Sequence, residues 1–174
     1  PGEYKLVMSY LDKELFVDCK IIENPQFSLS SSEYESYHNF MNEAEKIYNE
    51  MTNLTNKYQV IKNEMVDFKS KINPSKEKNI LNEINSIVNE IEKWDKIMVQ
   101  RLSKAYDDVE NFENGFTAHY LHLLNEADSG IPKLTKGSKM KLIELNKQWE
   151  VYKKSAKRLI DGKINKFNIK YKKS

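Results

Sequence analysis

The sequence predicts an all-α protein, an antiparallel four-helix bundle with one short N-terminal helix and three long helices. Three observations carry that expectation. Apolar residues recur at alternating spacings of three and four over long stretches, the signature of amphipathic helices. Only 5 Gly and 4 Pro interrupt 174 residues. Apolar residues make up 39% of the chain and charged residues 31%, too apolar for simple disorder and charged enough to solvate long helical faces. A chain of this length buries roughly 70% of its unfolded surface, so residues 1–174 read as one helical-bundle domain.

The first element is expected from Tyr4 to Ile22, where Tyr4, Val7, Leu11 and Leu15 share a helical stripe that Leu6, Tyr10 and Phe16 widen. Asn24-Pro25 ends it, because proline pushes the preceding residue toward extended geometry. Ser28 to Ser32 then reads as a linker. Ser32 followed by Glu35 is a capping-box pattern, which opens a second helix over about residues 32–72. Its seam is Tyr37, Phe40, Ala44, Ile47, Met51, Leu54, Tyr58, Ile61, Met65, Phe68 and Ile72.

Asn73-Pro74 supplies a stop and a restart, with Asn73 as cap and Pro74 at the first helical position. A connection this brief requires an antiparallel neighbour. The third helix repeats the seam through Ile80, Ile84, Ile87, Ile91, Trp94 and Met98, then steps by an extra residue to Leu102, Ala105, Val109, Phe112, Phe116, Tyr120 and Leu123. That stutter unwinds the supercoil between Trp94 and Leu102, and Gly115 inside the same helix is read as a kink. Residues 126–137 form a loop rich in turn formers. The last helix opens near Ser138 and carries Leu142, Leu145, Trp149, Tyr152, Ala156, Leu159, Ile164 and Phe167 toward Tyr171.

No motif encodes a chemistry. Glu35 and His38 match one Glu-x-x-His element of di-iron bundles, but no second copy exists and His38 lies off the apolar stripe. His119 and His122 share a helix face without a third ligand. The acidic run Asp107, Asp108, Glu110 and Glu113 sits on the expected helix, without the glycine turn that lets oxygens encircle calcium. Asn53-Leu54-Thr55 fits a glycosylation acceptor but falls mid-helix. Glycine-rich phosphate loops and nucleophile elbows are absent. The expectation is a protein that is not an enzyme and uses no cofactor or metal.

Cys19 is the one cysteine, read as a small core residue on an apolar helix face. No segment reaches the roughly 20 apolar residues of a membrane span, and the start lacks a signal peptide's apolar stretch, so no transmembrane segment is expected. Gly115 to Leu124 is the longest charge-free apolar run, and core packing is its default reading.

Charge is distributed unevenly. Residues 133–174 hold 14 basic and 3 acidic side chains, a net of +11; residues 1–132 hold 14 basic and 23 acidic, a net of −9; together they give the overall +2. The basic terminal helix either balances acidic helices packed beside it or contacts an anionic surface through Lys163, Lys166, Lys170, Lys172 and Lys173. Nucleic acid is disfavoured as a partner, because Arg158 is the lone guanidinium in that segment and base-edge recognition favours Arg. The paired stripes and the brief Asn73-Pro74 turn point to a monomer.

Lysine supplies 26 of the 28 basic residues, and 18 Asn stand against 5 Ala, a bias of AT-rich genomes such as those of malaria parasites and spirochaetes. Stretches such as Tyr48-Asn49-Glu50-Met51-Thr52-Asn53-Leu54-Thr55-Asn56-Lys57-Tyr58 resemble the secreted or surface helical proteins of malaria parasites. In size and expected helical plan the chain is similar to the sporozoite microneme protein family essential for cell traversal. That resemblance implies a secreted or cell-surface location, micronemes in the malaria setting, and a role in host-cell traversal through a host membrane or a host surface protein. The alternative resemblance is to spirochaete outer-surface lipoproteins, rigid helical bundles that bind a host complement or matrix protein. Both imply a non-enzymatic role.

Overall fold

The computed structural model describes residues 1–104 and 111–171. It is mostly helical, with a small two-stranded sheet at its start. In chain order the elements are β1 (Gly2–Tyr10), β2 (Lys13–Ile21), α1 (Ser31–Ser70), α2 (Lys78–Met98), α3 (Phe116–Asp128), α4 (Lys136–Arg158), a π-helical turn (Leu159–Ile164) and α5 (Asn165–Tyr171).

The short N-terminal helix does not form. Its place is taken by an antiparallel hairpin in register from Gly2↔Ile21 to Tyr10↔Lys13, closed by the two-residue loop Leu11-Asp12. In the same stretch Tyr4, Leu6, Met8 and Tyr10, then Leu15, Val17, Cys19 and Ile21, alternate with period two, and the β-branched and aromatic content of Tyr4, Val7, Tyr10, Phe16, Val17 and Ile21 favours strands.

Helix α1 begins two residues earlier than Ser32 and Glu35 imply. Ser30 and Glu33 form the capping box instead: the Ser30 Oγ accepts from the Glu33 amide at 3.3 Å, and the Glu33 carboxylate accepts from the Ser30 amide at 2.9 Å. Leu29, directly before the cap, is buried, which fixes the entry of the chain. The expected seam then faces inward, with Phe40, Ala44, Met51, Tyr58, Met65 and Ile72 buried and Ile47, Leu54, Ile61 and Phe68 half-buried against them.

Asn73 and Pro74 form a turn but do not cap α2, which starts at Lys78. The Asn73 side chain instead accepts from the Ser75 amide at 3.0 Å, while Glu77 accepts from the Asn73 amide at 3.0 Å.

The long third helix is broken. Helix α2 ends at Met98 and α3 resumes at Phe116, so the stutter between Trp94 and Leu102 marks a true end. Leu102 is exposed, and Ala105 and Val109 lie outside the described residues. The chain departs and returns at one point: the Thr117 hydroxyl donates to the Met98 carbonyl at 2.8 Å, and a Cβ on Gly115 would lie 2.5 Å from the same oxygen. Gly115 is therefore no kink within a helix. It is the N-cap of α3, buried where the rod resumes.

Cross-contacts set the directions. Lys62 pairs with Glu92 at 2.7 Å and Lys69 donates to Asn85 at 2.8 Å, so α2 runs antiparallel to α1. The Tyr37 hydroxyl donates to Asp128 at 2.8 Å, and α3 follows the direction of α2. Helix α4 returns parallel to α1, with Asn146 donating to Glu43 at 2.7 Å, Trp149 to Glu50 at 2.9 Å, and the Tyr58 hydroxyl to the Ala156 carbonyl at 3.0 Å. The body is three rods, up, down and up, the middle one made of α2 and α3.

Aromatic edges seal the body. Tyr58 meets Trp94 at 4.7 Å between ring centroids, Phe116 meets Tyr152 at 5.0 Å and Phe68 meets Phe167 at 6.1 Å. Phe116 and Phe167, buried among these rings, each contribute about 1.5–3 kcal/mol. The π-helical turn keeps the last rod in phase, because the step from Leu159 to Ile164 spans five residues and both side chains are buried.

Candidate interaction surface

Alternation in the hairpin sorts its side chains onto two unlike faces. The pairs Tyr4↔Cys19, Leu6↔Val17 and Met8↔Leu15 lie on one face, with Tyr10 and Lys13 at the loop end and Gly2 and Ile21 at the other. Lys13 is its one charged group. The opposite face holds Glu3↔Lys20, Lys5↔Asp18, Val7↔Phe16 and Ser9↔Glu14. Some of its groups meet across the strands: Glu3 and Lys20 stand 4.0 Å apart, the Ser9 hydroxyl donates to Glu14 at 3.2 Å, and the Lys5 ammonium sits 5.7 Å from the Phe16 ring centre.

Burial is inverted relative to the helical body. Every residue from Glu3 to Gln26 is exposed. On the apolar face Leu6 is 65% exposed, Val17 61% and Met8 59%. A two-stranded hairpin is marginal in water unless its apolar face is packed against something, and contiguous exposed apolar surface marks an interaction site. The loop adds a second irregularity, since Leu11 holds φ at 53° and is 85% exposed. Asn, Asp or Gly usually fills a left-handed hairpin position, and a bulky apolar residue there costs about 1–2 kcal/mol.

Cys19 lies on this face and is exposed, not in the core where the helical reading puts it. The hairpin is the feature that sequence reasoning missed, although the alternation Tyr4, Leu6, Met8, Tyr10 and Leu15, Val17, Cys19, Ile21 signals it.

The basic residues singled out at the C-terminus are placed as follows. Lys163 pairs with Glu90 of α2, and Lys170 pairs with Glu83 at 2.6 Å, which holds its ammonium above the usual lysine range. Lys166 is exposed on the same stretch and shares a groove with Glu83, Ser86 and Phe167. Lys172 and Lys173 lie outside the described residues. Further up the rod, Lys153 pairs with Glu50 at 2.6 Å. Burial acts to raise the Glu50 carboxyl, but the hydrogen bonds from Lys153 and Trp149 outweigh it and lower it below the ordinary glutamate value. The basic rod thus faces acidic side chains of α1 and α2.

The other candidates do not assemble. Glu35 and His38 are exposed on α1, and His119 and His122 are exposed on α3. Asp107, Asp108 and Glu110 lie outside the described residues, while Glu113 is exposed between α2 and α3. Among the described residues, no three His, Cys, Asp or Glu side chains converge as metal ligands would. In the Asn53-Leu54-Thr55 triplet, Thr55 is buried and its hydroxyl donates to the Thr52 carbonyl at 2.9 Å. No described helix is long and apolar enough to cross a membrane. Compared with models of protein families, with characterised proteins and with solved structures, the chain matches none.

Proposed function

We propose that the protein is a non-enzymatic interaction module in which a three-rod helical body carries a hairpin whose apolar face docks on another protein. The observation that carries this reading is the exposure of the whole Tyr4–Ile21 face beside a body whose apolar seams are filled. The non-enzymatic part is supported by how the perturbed groups are employed. Tyr58 and Tyr120 are raised by burial within the core, and Glu33 is lowered because it serves a helix cap. None of them forms a nucleophile and base pair.

A protein partner fits the hairpin better than a bilayer. Residues 1–22 carry 4 acidic and 3 basic side chains, a net of −1, which gives no attraction to anionic lipid. Asp12, Lys13 and Glu14 crowd the loop end, where insertion into hydrocarbon is costly. On its composition we assign the module to a pathogen surface or secretion, where such docking serves contact with a host. Cell traversal is the role that the malaria resemblance implies, and complement or matrix binding is the spirochaete counterpart.

The competing reading is attachment to an anionic surface through Lys163, Lys166 and Lys170, and Lys166 is the residue that favours it. Co-sedimentation with neutral and phosphatidylserine vesicles separates the two. The wild type is expected to stay in solution at physiological salt, and Leu6→Ser/Val17→Ser should behave in the same way. Vesicle binding abolished by that hairpin variant would overturn protein docking. Binding abolished by Lys163→Glu/Lys166→Glu/Lys170→Glu would favour the basic rod.

A further inference from the structure

We infer that the occupant of the hairpin's apolar face is a second copy of this chain, the two hairpins stacking face to face about a twofold axis. The inference rests on the reading of that face as a docking surface and names what covers it.

Three features favour a second copy. The first is area. Tyr4, Leu6, Met8, Tyr10, Leu15, Val17 and Ile21 each expose 51% or more of their surface, on the order of 700 Å² together, which is about what one partner brings to an interface of standard size. The second is charge. Apart from Lys13 at the loop end the face is neutral, so it offers little by which an oppositely charged partner would be recognised, and a near-neutral hairpin does not repel its own copy. The third is shape. Nine-residue strands give a face about 30 Å long, and a twofold stack presents each hairpin with an apolar face of its own length, Leu6 and Val17 at the centre. The charged faces remain in water on the two outer sides, as in a small β-sandwich.

A dimer departs from the monomer expected of the whole chain, an expectation drawn from the helical stripes and the Asn73-Pro74 turn. The hairpin adds a face those stripes do not include.

Light scattering on the full chain, read across a concentration series with Leu6→Lys/Val17→Lys and Lys5→Ser/Phe16→Ser alongside, tests the inference. The wild type should pass from 20.5 kDa to twice that mass as concentration rises. Leu6→Lys/Val17→Lys places four ammonium groups at the centre of the stack and should raise the dissociation constant at least about 100-fold. Lys5→Ser/Phe16→Ser alters the outer face and should dimerise as the wild type does. Far-UV circular dichroism checks that each variant keeps its helices, whose core among the described residues includes no hairpin side chain. A wild type that stays at 20.5 kDa throughout overturns the inference, and so does a dimer that survives Leu6→Lys/Val17→Lys. Neither result touches the docking reading, which hairpin-dependent vesicle binding would overturn.

Discussion

Glu33 shows how much one side chain at a helix start can hold. Its carboxylate accepts from the Ser30 amide, pairs with Lys133 at 2.9 Å and accepts from the Ser30 hydroxyl. In that order of importance these contacts lower its pKa from the ordinary 4.5 to about 2. A carboxyl depressed in the folded state stabilises the fold fully above its unfolded value and loses that contribution as pH falls through the folded one. The unfolding temperature of the wild type should therefore exceed that of Glu33→Gln near pH 6, and the difference should shrink between pH 4.5 and 2. An equal gap at both ends of that range would mean that the charge of Glu33 contributes nothing. The sequence holds two capping patterns, Ser30 with Glu33 and Ser32 with Glu35. Pattern alone does not choose between them, because the choice depends on where Leu29 is buried.

At the scale of elements, the seams of α1, α2 and α4 were legible because burial follows them almost residue by residue, from Phe40 to Ile72, Ile84 to Met98 and Leu142 to Phe167. The π-helical turn was not read, although the five-residue step from Leu159 to Ile164 is its trace in the sequence. The break after Met98 was half legible: the stutter marks its place, but an apolar phase that resumes at Phe116 looks the same whether the intervening chain is helical or leaves the rod. Gly115 decides how the rod resumes. Its φ of −72° suits any residue, so the requirement is space alone, set by the Met98 backbone, which cannot turn aside as a side chain would. Gly115→Ala should cost about 1–3 kcal/mol in chemical denaturation. Gly130→Ala, with nothing within 4 Å of its Cβ position, should be close to neutral. Equal stability of the two variants would show that α3 can shift away from Met98.

At the scale of the whole molecule, the buried core of the described residues draws on none of the first 26, since burial begins at Leu29. The hairpin escaped the sequence reading because Tyr4, Val7, Leu11 and Leu15 satisfy a helical period while their neighbours satisfy a strand period, and a short apolar run does not distinguish the two. Its loop also lacks the Asn-Gly or Asp-Gly signal that marks a tight hairpin. The +11 segment was legible as a charge imbalance; that Lys153, Lys163 and Lys170 meet Glu50, Glu90 and Glu83 depends on α4 running parallel to α1 and antiparallel to α2, which composition does not encode. The central claim is that the body is self-sufficient and the hairpin face is covered only by another molecule. Amide hydrogen exchange of residues 2–21, followed as protein concentration rises, tests it most directly, with the amides of α1 and α4 as internal reference. Hairpin amides should exchange rapidly in dilute protein and slow with concentration while the helical amides stay constant. Hairpin protection that is already high in the most dilute sample, and unchanged on concentration, would contradict the account.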